Sequence, residues 1–167
     1  MKSYLPEYFS IESFVKPGES AMWFSVNDSN ISLLKNADAF IYFNSYLFEH
    51  RVSERLKREY PSVKLLPSGQ SLPRFMDGFF VGKIQINDPQ MFQSIRNSRR
   101  AVIESAKRLS ESFPEFEKEI MKRAEIREER LHHLDDSLSN ALAPLYYSSF
   151  VTIHPLLGHF EKDYGLN

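Results

Sequence analysis

Between Pro114 and Pro144 the chain holds neither glycine nor proline, and Ile120, Ala124, Leu131, Leu134 and Leu138 recur along it at helical spacing. The pattern predicts one helix running to about Leu142, roughly 40 Å long at 1.5 Å per residue. A rod of that length constrains everything around it. The rest of the chain must pack along it, and it can serve as a backbone spanning two lobes. Ser112-Phe113-Pro114-Glu115 carries the S-x-x-E pattern of a capping box at its start, and Pro144 ends it. Its other face is heavily charged.

Upstream the pattern changes. Phe9 to Val15 alternates partly and runs into Lys16-Pro17-Gly18, which predicts a strand and a turn. Ser29 is the expected cap of a short helix reaching Asn36. Ala39 to Asn44 is a short, almost wholly apolar run, as in a parallel strand covered on both faces. Glu49 to Tyr60 reads as a charged helix with Val52 and Leu56 on one face, and Val63 to Leu66 as a further strand. Strand, helix, strand, helix, strand with short connections argues for α/β units around a parallel sheet. Gln70 to Asn87 breaks this rhythm with Pro73, Gly78 and Gly82 among Phe75, Met76, Phe79 and Phe80. It reads as a hairpin or an ordered loop, packed inward because exposed phenylalanines cost about 25 cal/mol per Å². Asp88-Pro89 opens a helix to about Ser110. Phe150 to Ile153 is a last expected strand, with His154-Pro155 at its carboxyl end. The expected core is Phe40, Ile41, Phe43, Val63, Leu65, Val151 and Ile153, buried in one mainly parallel sheet.

Composition narrows the function classes. A net charge of -1 over 167 residues argues against a generally basic nucleic-acid binder. With no cysteine there is no disulfide framework, thiolate metal site or thiol nucleophile. The first residues, Met1 to Tyr8, do not form a signal peptide, and no run approaches the ~18 apolar residues of a membrane span. These features fit a cytoplasmic chain, or the mature or trimmed form of an exported one.

Phosphate-cradling loops, dinucleotide fingerprints and nucleophile elbows are absent from the sequence. Arg96, Arg99 and Arg100, and the group Lys122, Arg123, Arg127 and Arg130, alternate with acids and read as solvated helix faces. His132 and His133 are adjacent on the long helix and point about 100° apart, so they do not chelate one ion together. His50 reads as exposed. His154 follows an apolar strand, where open α/β sheets place their ligands. Structural and ligand roles both remain open for it, and His159 lies close by in sequence.

Several segments, taken in order, resemble the substrate-binding proteins of zinc and manganese ABC importers. Lys16-Pro17-Gly18-Glu19-Ser20-Ala21-Met22-Trp23-Phe24 resembles the family's P-P-G-x-D-P-H-x-Y/F segment. Asn36-Ala37-Asp38 through Asn44, then Leu47-Phe48-Glu49, resembles its N-A-D-x-x-x-Y-N-G…L-E stretch. Asp88-Pro89-Gln90-Met91-Phe92 falls where the family has D-P-H-x-W. Phe150-Val151-Thr152-Ile153-His154-Pro155, Gly158-His159-Phe160 and Asp163-Tyr164-Gly165-Leu166 resemble f-v-x-x-H-x-a-f-g-Y-F…Y-G-L.

The resemblance implies an α/β fold: a mainly parallel sheet lobe over residues 1–87, a helical segment with the long linking helix over 88–143, and the start of a second lobe over 144–167. It also implies metal binding at three family ligand positions, Met22, Gln90 and His154, with His159 as a further candidate. Histidine is replaced at the first two. A soft thioether and a hard carboxamide are poor partners for one zinc ion. The implied cargo is zinc or manganese, bound weakly or not at all; the implied partner is an ABC permease, and the implied location of the chain is periplasmic or otherwise outside the cytoplasm. The family's histidine-rich loop has no counterpart, nor do its first strand and helix. The expected function is therefore a diverged or truncated metal-binding protein rather than an enzyme. The alternative is a metal-free scaffold on the same fold, whose uncovered apolar surface favours a homodimer. His154-Pro155 with Gly158 matches part of the H-P-x-x-x-G stretch of AMP-transferring Fic-type domains. That stretch's acidic residue, asparagine and arginine are missing here, so catalysis is not expected.

Overall fold

The computed structural model describes residues 9–72, 79–81, 84–86, 91–151 and 157–166. Among these described residues, five α-helices and four strands follow in the order α1 (Asp28–Leu33), β1 (Ala39–Tyr42), α2 (Leu47–Glu59), β2 (Lys64–Pro67), β3 (Phe79–Val81), β4 (Ile84–Ile86), α3 (Ile95–Ser112), α4 (Glu117–Leu142) and α5 (Gly158–Tyr164). β1 and β2 pair in parallel, Phe40 opposite Leu65 and Ile41 opposite Leu66. β3 and β4 form a separate antiparallel pair, so the Gln70–Asn87 region contains a hairpin. The fold is α/β and rich in helix.

The apolar run at β1 is explained by cover on both faces. Phe40 and Tyr42 point into a cluster with Ile31, Phe48, Val52, Leu56 and Val63 beneath α1 and α2. Ala39 and Ile41 face the other way, where Leu66 meets Val102, Ala106 and Leu109 of α3 and Ile120 and Ala124 of α4. Val52, Leu56 and Ile120 are wholly excluded from solvent, each stabilising by about 1.5–3 kcal/mol relative to exposure. α3 and α4 form a helical hairpin with the most extensive contact in the molecule.

Several expectations are corrected. Phe9 to Val15 is not a strand. Its aromatic residues are used as wedges: Phe9 packs edge-on to Phe113 and Phe116 at 5.5 and 5.3 Å, and Phe14 meets Phe24 and Phe48. Such pairs contribute about 0.5–1.5 kcal/mol beyond area, without a ladder of backbone bonds. α1 is capped by Asn27, not Ser29, because Asn27 and Asn30 exchange side-chain bonds with each other's backbone N–H. The Ser112–Glu115 capping box does not form. α3 continues through Ser112, whose carbonyl accepts from Lys64 Nζ, and the chain turns at Phe113 before α4.

α3 begins at Ile95 under a Ser94 cap; Asp88-Pro89, its expected start, lies outside the described residues. Phe40 and Val63 are buried as expected, and Ile41, Phe43 and Leu65 are half-buried. Val151 is 99% exposed and not in a strand. Ile153 lies outside the described residues. The apolar stripe of α4 is covered unevenly: Ile120 and Ala124 are fully buried and Leu131 packs against the same cluster, while Leu134 is 48% exposed. Among the described residues no helix is long and apolar enough to cross a membrane.

Candidate functional site

The carboxyl end of β1 is held by one side chain. Glu49, in the first turn of α2, accepts from the backbone N–H of Phe43 (3.0 Å), Ser45 (2.6 Å) and Tyr46 (3.0 Å). Burial pushes its carboxyl above the usual carboxylate range, and the three donors pull the other way. Asn44, in the same loop, takes the left-handed conformation at φ 56°, which asparagine tolerates better than most residues. The loop after β2 comes in beneath it. A Cβ on Gly69 would stand 2.0 Å from the carbonyl oxygen of Phe43, so the close approach of the two loops requires glycine.

The Phe43 ring meets the edge of Phe92 at 4.9 Å. Phe92 belongs to a 3-10 turn, Met91–Gln93, just ahead of α3. Met91 is buried with Leu72 and Ala101. Ser94 caps α3, its Oγ accepting from Asn97 N–H at 2.9 Å and donating to Asp163 of α5. Asn97 donates through Nδ2 to the Met91 carbonyl at 3.2 Å and lies 3.3 Å from Nδ1 of His159. The turn following position 90 and the helix following position 154 are therefore packed together at the start of α3.

α5 has a second anchor. Tyr164 donates its hydroxyl to Asp135 Oδ1 of α4 at 2.9 Å. Asp135 Oδ2 accepts from Arg96 Nε at 3.3 Å and Arg99 Nη1 at 3.5 Å, and Arg99 also pairs with Glu128 at 2.6 Å. Arg96 and Arg99 are thus committed to ion pairs rather than forming a freely solvated face. They border a groove of about 660 Å³ between α3 and α4, lined by charges of both signs.

Of the sequence-derived site residues, Met22 sits on a 3-10 turn, Ala21–Trp23, and is 46% exposed beside Trp23 at 83%. His159 is buried on α5 against Asn97. Gln90 and His154 lie outside the described residues. Among the described residues no group of three or more His, Cys, Asp or Glu side chains is placed to hold a metal ion. His132 and His133 have ring centroids 6.2 Å apart, and His132 faces Asp136 at 3.7 Å. His50 is half-buried on α2. Sequence reasoning did not find Ser94, Asn97 or Asp135. Each is a polar residue inside a helical pattern, and only its three-dimensional partners distinguish it from a solvated one.

A family model described as zinc-uptake complex component A, periplasmic, matches residues 6–167. No curated protein sequence gives a significant match. The zinc-bound ZnuA-like domain of Streptococcus pneumoniae AdcA has a TM-score of 0.85 to this chain at 22% identity, over 99% of this chain and 59% of that one. Zinc-bound AdcA from the same organism scores 0.78 at 22% identity, over 94% and 33%. A ZnuA crystal structure scores 0.75 at 24% identity, over 92% and 59%. The chain spans well under two thirds of the length of these relatives, and at such identities the likeness concerns the fold. Because the family model runs across nearly the whole sequence, the chain belongs to the family of the periplasmic zinc-uptake component A.

Proposed function

We propose that the chain acts as a metal-ion-binding protein of the zinc and manganese type, serving an ABC importer outside the cytoplasm by binding rather than catalysis. One observation carries the reading: the turn after Gln90 and the helix after His154 are bonded together through Ser94–Asp163 and Asn97–His159. The turn lies beside the carboxyl end of β1 through Phe43 and Phe92. That is where open α/β sheets bind ligands. In this reading His154 supplies an imidazole, Gln90 a carboxamide oxygen, Met22 a thioether, and His159 is a nearby reserve donor. The linking helix α4 divides a lobe over 1–87 from the start of a second over 144–167, and the cargo is handed to a permease.

Titration calorimetry with zinc chloride and with manganese chloride tests it. Zinc binding is expected at least about a hundredfold weaker than at a three-imidazole site, equivalent to about 2.7 kcal/mol, because two imidazoles are replaced by poorer donors. His154→Ala is expected to abolish it. Heats indistinguishable from dilution for both metals would refute the reading.

The second reading, a metal-free scaffold that self-associates, is favoured by the exposed run Leu145, Tyr146, Tyr147 and Val151. Light scattering at micromolar concentration separates the two. A dimer without metal uptake supports the scaffold.

A further inference from the structure

Asp135 follows the half-exposed Leu134 on α4, yet it is 5% exposed. A carboxylate is seldom buried so far without partners, and both its oxygens are engaged. Oδ1 accepts the Tyr164 hydroxyl of α5, while Oδ2 accepts from Arg96 and Arg99 of α3. Glu128, two turns earlier on α4, holds Arg99 from the other side at 2.6 Å. Burial, and then the bond to Asp135, push the Tyr164 hydroxyl above its usual value, so it remains a donor at neutral pH. Arg96 also lies over the Tyr164 ring, 5.6 Å from its centroid. α5 is only seven residues long, with His159 and Tyr164 as its buried side chains. A helix that short does not hold its place by its own backbone bonds.

We infer that Asp135 is a positioning residue: through Tyr164 it fixes α5, and with it the candidate donor His159, onto the long helix and the start of α3. What that placement accomplishes rests on the metal-binding reading; the latch itself does not. Two further ties of α5, from Ser94 to Asp163 and from Asn97 to His159, engage the start of α3. Asp135 adds α4, so one carboxylate joins three helices. Its charge matters as well as its oxygens, since its loss would take from Arg96 and Arg99 a carboxylate that both of them face.

The test uses the full 167-residue chain, with amide hydrogen exchange measured without metal and zinc affinity measured separately. Tyr164→Phe removes one oxygen and keeps the ring that packs on Phe160 at 4.8 Å. Asp135→Asn keeps an acceptor for Tyr164 and removes the charge facing the arginines. In Tyr164→Phe, amides of 158–164 are expected to exchange about tenfold faster, with those of α2 and the middle of α3 unchanged. The zinc dissociation constant is expected to rise several-fold, and Asp135→Asn to move both readouts in the same direction. Unchanged exchange in α5 in both variants would overturn the inference. So would equal acceleration throughout the chain, which marks a general loss of stability. Faster exchange in α5 with zinc affinity untouched supports the latch and overturns its link to metal binding. If the parent chain binds no zinc while α5 is released in the variants, the latch stands and the metal-binding reading fails.

Discussion

The two ends of the long helix are held by different physics. Around its first turns Ile120 and Ala124 are fully buried against Leu66, Val102, Ala106 and Leu109, and the hold is apolar and non-directional. Four turns later Leu134 is 48% exposed and the buried side chain is Asp135, held by a tyrosine and two arginines. Apolar contact tolerates small shifts, because its strength follows area. The polar contact depends on distance and angle, so it specifies one placement of α5 at little net gain in stability. The body of the molecule is thus secured by burial, and α5 by geometry.

Ile120→Ala should break the comparison most severely. It opens a cavity beside the sheet and is expected to destabilise the whole chain by about 3–4 kcal/mol in urea denaturation. A loss under about 1 kcal/mol would mean that α4 is not anchored by this cluster. Gly165→Ala probes the other end. Gly165 has φ 66°, and a Cβ there would lie 1.9 Å from the ring of Tyr146. That ring is 57% exposed and can swing aside, so the expected loss is about 1–2 kcal/mol from backbone strain and the displaced ring. It should appear as faster exchange at 146–166 rather than as a lower midpoint for the body. A shift in midpoint as large as that of Ile120→Ala would remove the distinction between the two regions.

The smallest effect concerns pH. Burial raises the Glu49 pKa above 4.5 in the folded chain, so the folded state holds this proton more tightly than the unfolded one. The stability it contributes is full below the unfolded pKa and is lost as pH rises through the folded pKa. Glu49→Gln lacks that titration. The stability of Glu49→Gln relative to the parent should therefore improve as pH rises from about 4.5 toward neutrality. A change in the opposite direction would show that the donors at Phe43, Ser45 and Tyr46 outweigh desolvation.

The parts of the fold legible in the sequence are those whose signal is periodic and local. The long helix, the helix bearing Val52 and Leu56, and the two runs that pair as β1 and β2 all show the spacing of their own elements. The aromatic segment Phe9 to Val15 misled because alternation reports sidedness, not pairing. Its rings had to reach Phe48 on one side and Phe113 and Phe116 on the other, and a ladder was not needed. The stripe on α4 misled in the same way, since periodicity cannot say where along a helix its cover stops.

At the candidate site, the order of motifs identified the family and named Met22, Gln90, His154 and His159. Met22 proves to be half exposed and His159 buried. The contacts that seat α5 were not legible, because Ser94, Asn97 and Asp135 acquire their meaning from partners 29 to 69 residues away. What the sequence determined by itself is the long helix, the helix bearing Val52 and Leu56, the two runs that pair, their order and the family they belong to, since backbone geometry and hydrophobic spacing act between near neighbours. Which face of each element is covered, and which polar residue becomes a latch rather than a solvated side chain, was decided only in three dimensions, where burial and hydrogen bonding depend on what the rest of the chain brings alongside.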